Sequence, residues 1–124
     1  MFGGLHIKLA TLRALGKLLD VSGWTTVLTN ANVASPGVVD SFVTASHITR
    51  TRRAHQITHA ALHILQKRAY QAYLDVAEED SPLSFTAWKK EMSVKYPNFM
   101  YWSRVMKLQL ICFKLVKAFR VADF

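Results

Sequence analysis

Residues 46–73, SHITRTRRAHQITHAALHILQKRAYQAY, decide how this chain is read. The stretch holds no proline and no glycine, and its aliphatic residues recur at three- and four-residue steps. That spacing predicts one long amphipathic helix and no strand. Thr49 or Thr51 is expected to cap it, and it is expected to continue to about Ala77. Ala54, Ile57, Ala61, Ile64, Leu65, Ala72 and Val76 form its apolar stripe, which is expected to face a core. The opposite, outer face is expected to carry Arg52, His55, His59, His63, Gln66 and Tyr70.

Helical patterns also extend on both sides of this segment. Leu5, Leu9, Leu12, Leu15 and Leu19 share one face of a first helix, stopped by Ser22-Gly23. Lys8 falls inside that leucine stripe; either it snorkels or the position once held another residue. Gly16 is expected to cost the helix some stability. Thr25 to Val33 is a short second helix preceded by Trp24. Ser35-Pro36 opens a third, with Val38, Val39, Phe42 and Val43 inward. Beyond the long helix, Glu78-Glu79-Asp80 oppose the helix dipole and mark a solvated turn before Ser81-Pro82. Ser84 caps a fifth helix, and Tyr96-Pro97 ends it. A sixth is expected from Asn98 to Val121. Tyr101, Val105, Leu108, Cys112, Leu115, Val116 and Phe119 lie on one face, and Arg104, Lys107, Lys114, Lys117 and Arg120 on the other. The fold class expected is all-α, five to six helices in an antiparallel array, forming a single domain over residues 1–124.

The chain has 124 residues, a hydrophobic content of 51% and a formal net charge of +8. Its isoelectric point is about 9.9. This excludes a disordered, charge-rich chain and favours anionic partners such as nucleic acid, acidic protein or anionic lipid. A single cysteine, Cys112, allows neither an internal disulfide nor a cysteine-based zinc cluster. It suits an intracellular setting, nuclear or cytoplasmic, and is expected to act as a small buried hydrophobe. The longest apolar run, Val105 to Val116, contains Lys107 and Lys114 and is too short for a bilayer, so no membrane partner is expected.

Two constellations carry polar chemistry. His55, His59 and His63 stand one turn apart, so a neighbouring pair could hold a transition metal. The third would lie about 12 Å from the first and cannot share the ion. No carboxylate accompanies them, and no metal or other cofactor is expected. The second is the knot Arg50, Arg52 and Arg53 at a helix start, where cations oppose the dipole. A phosphate would offset that cost; pairing with Asp40 or solvation would offset it too. Candidate nucleic-acid contacts are therefore Arg50, Arg52, Arg53 and His55, extended by Arg104 and Lys107 on the last helix. Trp24, Trp88 and Trp102 fit core positions better than base-stacking platforms. No paired acids, triad geometry or phosphate loop is present, so no catalytic residue is assigned and no enzyme activity is expected.

Several blocks in sequence carry a resemblance: GGLHIKLATL (Gly3 to Leu12), Gly23-Trp24, SPGVVDSF (Ser35 to Phe42), SHITRTRRAHQIT (Ser46 to Thr58), ILQKRAY (Ile64 to Tyr70), YPNFMYW (Tyr96 to Trp102) and the closing AFRVADF. Their order resembles a domain of unknown function in large, multicopy, transposon-like proteins of animals and fungi. The Thr49–His55 block is its most specific part. The resemblance implies no established activity. It does imply that this chain is an internal fragment of a longer protein, with a helical segment inserted in a ribonuclease-H-like transposase core as the analogous setting. It also implies an acid where Lys8 stands, and it includes His55 but not His59 or His63.

Two expectations follow. The first is a noncatalytic helical fragment of a transposon-derived protein that contacts nucleic acid through its basic helix start. The second is a helical protein-interaction module whose apolar faces are completed by flanking regions or a second copy.

Overall fold

The computed structural model describes residues 2–78 and 80–122, with side chains for residues 4–78 and 80–118. Six helices and no strand occur among them: α1 (Phe2–Leu19), α2 (Trp24–Asn30), α3 (Pro36–Thr44), α4 (Ile48–Val76), α5 (Phe85–Lys95) and α6 (Pro97–Ala122). The fold class is all-α, as the helical periodicities predict. Glu79 in the acidic turn, the last two residues of the AFRVADF block and the side chain of Phe119 lie outside the described residues.

Local chemistry explains most boundaries. Ser84 takes an extended conformation and its hydroxyl accepts a hydrogen bond from the Ala87 amide at 3.2 Å, capping α5. Ser84→Ala is expected to cost about 1 kcal/mol, readable as a lower urea midpoint with unchanged slope. Pro36 and Pro97 occupy first helical positions. Ser35 precedes α3 in extended geometry, but its side chain makes no capping bond. Helix α2 stops three residues early because Asn32 adopts positive φ (56°). The Val33 amide then returns to the Leu28 carbonyl at 3.0 Å, closing a left-handed cap. Neither Thr49 nor Thr51 caps α4: the helix starts at Ile48, and the Thr51 amide already bonds the His47 carbonyl at 2.8 Å.

The chain divides into two compact units, one of Met1–Ile57 with Leu108–Phe124, the other of Thr58–Lys107. In the first, α1 and α2 pack on α3. Leu12, Leu15, Ala45, Cys112 and Val116 form a buried cluster, against which Leu9 and Ile48 pack. Leu19, Trp24, Leu28, Val39, Phe42 and Ala54 are buried in the same unit. Leu5 lies at the exposed end of the α1 stripe, and Lys8 is half-buried within it. Gly16 is buried with the Val43 backbone directly over it, so its missing side chain is what lets α1 approach α3.

In the second unit, Tyr70, Phe85, Trp88 and Phe99 form an aromatic cluster with ring centroids 5.2 to 6.1 Å apart. Two tyrosine hydroxyls hold the Leu83 backbone. Tyr70 donates to its carbonyl at 2.7 Å, and its amide donates to Tyr73 at 3.0 Å. Trp24 and Trp88 are thus core residues, and their rings offer no exposed stacking face.

The burial of α4 reverses the expected orientation. Of the apolar stripe only Ala54 is buried, while Ile57, Ala61, Ile64, Leu65, Ala72 and Val76 are exposed. The inward face is Thr51, Ala54 and His55, followed by half-buried Leu62, Gln66, Tyr70 and Tyr73. Gln66, Tyr70 and Tyr73 bring their apolar bodies inward and find partners for their polar tips. Gln66, for example, donates to the Ser103 hydroxyl at 2.9 Å.

Candidate functional site

The start of α4 is fixed by what precedes it. Ala45 ends α3 in left-handed geometry (φ 55°), and the Ser46 amide bonds back to the Ser41 carbonyl at 3.1 Å. Thr44 and Ser46 share a hydroxyl–hydroxyl hydrogen bond of 2.7 Å, and Arg13 Nε donates to the Thr44 carbonyl at 3.3 Å. This tight corner sets the helical phase of every residue that follows. Thr51, Ala54 and His55 turn inward, whereas Arg50, Arg53 and Ile57, at i, i+3 and i+7, share a solvent-facing stripe.

That phase divides the arginine knot. Arg50 and Arg53 flank a groove of about 250 Å³ whose other walls are Val33, Ala34, Val38, Phe42, Ala54 and Ile57. Arg52 is half-buried and stands about 200° around the helix from Arg50. Among the described residues none of the three arginines pairs with an acid. Asp40 borders a separate groove with Thr25, Thr26, Thr29, Asn30 and Pro36. Arg104 and Lys107 are exposed on α6 and belong to the second unit.

His55 is the clearest correction. It was expected on an outer, nucleic-acid-facing surface, yet it is fully buried. Its ring stacks on Trp24 with centroids 4.7 Å apart and planes 20° from parallel. Its Nδ1 is 3.2 Å from Gln109 Nε2. With the amide assigned as the donor, Nδ1 accepts and the proton resides on Nε2. Burial pushes the pKa down from 6.5 to about 4, so the ring is neutral near pH 7. A neutral, enclosed imidazole cannot contact phosphate. His59 is half-buried and His63 exposed, as a drift of about 40° per turn requires. Among the described residues no three His, Cys, Asp or Glu side chains gather where they could hold one ion.

Among the described residues, Thr51, His55 and Gln109 are the three fully buried polar residues of the first unit. Thr51 Oγ1, His55 Nε2 and Gln109 Oε1 make no hydrogen bond with the described residues. Sequence reasoning gave Thr51 only a capping role and passed over Gln109. The signal for Gln109 was present, since it continues the Val105, Cys112 and Val116 stripe at helical spacing. Cys112 is buried and its thiol pKa is raised by desolvation, which makes it inert as a nucleophile. All three side chains are fully buried, and Thr51 Oγ1 is hydrogen-bonded to neither of the other two. Among the described residues no helix is long and apolar enough to cross a membrane.

No protein-family model, curated protein or solved structure matches this chain.

Proposed function

We infer that this chain is a noncatalytic helical interaction module within a transposon-derived, intracellular protein, and that protein surfaces cover its exposed apolar faces. One observation carries the reading: α4 turns its polar-tipped face inward and leaves its aliphatic stripe outside. Ile64, Leu65 and Val76 are 50%, 59% and 76% exposed. On α6, Leu108, Ile111 and Leu115 are exposed at i, i+3 and i+7, again one face of a helix. Single exposed aliphatics are ordinary, but stripes of them at helical spacing mark contact surfaces. The sequence blocks quoted above support the transposon-derived context, and the lone cysteine supports the intracellular one. Sedimentation together with a hydrophobic dye tests the reading. Self-association or strong dye binding is expected, and a clean monomer that leaves the dye dark would sink it.

A second reading, nucleic-acid contact, is favoured by Arg50, Arg52 and Arg53, which pair with no acid among the described residues. Duplex DNA binding would then weaken steeply with salt. Neutralising Arg50, Arg52 and Arg53 together is expected to reduce the slope of log K against log salt by roughly two to three. Anisotropy titrations at several salt concentrations check this, and an unchanged slope would remove the arginines from any DNA interface.

A further inference from the structure

We propose that the groove between α3 and the start of α4 docks an acidic amphipathic helix from another protein. Its apolar side chains would enter among Val33, Val38, Phe42 and Ile57, and its carboxylates would meet Arg50 and Arg53. The proposal rests on the interaction-module reading and gives one face of that module a partner of defined chemistry.

Size is the first argument. At about 250 Å³ the groove falls below the range of roughly 300–1,000 Å³ usual for small-molecule pockets. It suits one or two side chains of a peptide laid along it, the mode in which a helix presents anchors at i, i+3 or i+4.

Charge is the second. Arg50 and Arg53 are exposed, one turn apart, and lack acidic partners among the described residues. Their forked guanidinium groups match carboxylates bidentately. Glutamates one turn apart on a docked helix repeat the same spacing. The second apolar groove, lined by Leu62, Leu65, Phe99 and Trp102 among others, has no charged wall and therefore specifies no occupant.

The floor is the third. A sugar–phosphate backbone gains nothing from the aliphatic walls of Val33, Val38 and Ile57. The aromatic residue there, Phe42, is buried and has no open face for a base. An amphipathic helix uses both floor and rim, because it brings apolar and anionic groups on one surface. Arginine beside an apolar patch is also the composition of interface hot spots.

The test is selection from a displayed library of random helical peptides against the full chain, followed by anisotropy titration of the enriched peptides. Enrichment of Asp or Glu beside apolar residues at i, i+3 or i+4 is expected. Affinity should fall at least tenfold in the Arg50→Gln/Arg53→Gln variant and in Ile57→Ser. It should hold in Leu65→Ser, which alters the other groove. All four positions are exposed, and each variant is to be checked for folding by circular dichroism melts. Enriched peptides without acids, or ones indifferent to Arg50→Gln/Arg53→Gln, overturn the proposal. Peptides lost only in Leu65→Ser keep the interaction module and remove this groove. No enrichment overturns the proposal, and together with a dye-silent monomer it removes the module reading as well. Duplex DNA that depends on Arg50 and Arg53 and displaces every enriched peptide assigns the arginines to phosphate and overturns it too.

Discussion

Gly16→Ala is expected to destabilise the first unit by about 2 kcal/mol, although alanine is the better helix former. On an exposed helix surface the change would stabilise by about 1 kcal/mol. Here a Cβ at residue 16 would lie 2.8 Å from the carbonyl carbon of Val43 and 2.9 Å from its Cα. Both atoms belong to the backbone of α3, so no side-chain rotation relieves the collision. The helices must separate instead, which loosens the packing around Leu12, Leu15 and Ala45. Overpacking of this kind typically costs about 1–3 kcal/mol and occasionally more, enough to reverse the propensity gain. A loss of about 8 °C in melting temperature is the matching thermal readout. Gly37 supplies the control. It is exposed in the first turn of α3, and a methyl group added there would meet nothing within 4 Å. Gly37→Ala should therefore stabilise by about 0.4–1 kcal/mol. If Gly16→Ala stabilises as Gly37→Ala does, the close approach of α1 and α3 is wrong.

These two glycines show what a sequence can and cannot disclose. Helix existence is local, written in Ser84, in the prolines at 36 and 97, and in the leucine spacing of α1, and those elements were legible. The role of Gly16 is not local, because the atoms that require it belong to another helix. The orientation of α4 was illegible for a related reason. Its sequence carries two stripes: one of bare aliphatics, the other of His55, Leu62, Gln66, Tyr70 and Tyr73, whose apolar bodies end in polar tips in all but Leu62. Periodicity reports that both stripes exist without saying which one faces inward. The choice depends on distant partners such as Trp24, Gln109, Ser103 and Leu83. The candidate site shares this limit. The arginine knot was visible as charge, but its division into Arg50 and Arg53 on the groove and Arg52 elsewhere follows from the helical phase set at the Ala45–His47 corner.

Stability is expected to fall by about 3 kcal/mol as the pH drops from 6.5 to 4, through His55 alone. Burial lowers its pKa from 6.5 to about 4 in the folded chain. Well above pH 6.5 the ring is neutral in both folded and unfolded states, and the full stability is present. Between 6.5 and 4 the unfolded chain takes up a proton that the folded chain refuses, so each pH unit costs about 1.4 kcal/mol. Below about 4 the folded form is protonated too, and this loss levels off. Urea midpoints across the range, compared between the parent and His55→Leu, isolate the effect, and the variant should lack this share of the slope. At pH 7 a double-mutant cycle separates pairing from packing. His55→Leu leaves the Gln109 amide without its partner, and Gln109→Leu does the same to Nδ1. Each single change should cost about 1–3 kcal/mol as a buried polar group loses its hydrogen bond. The double variant replaces both polar partners with hydrocarbon and should cost less than the two singles summed, with a coupling of about 1–2 kcal/mol. Additive losses and an unchanged pH slope would mean that His55 titrates in water, which would return it to the surface where its sequence placed it.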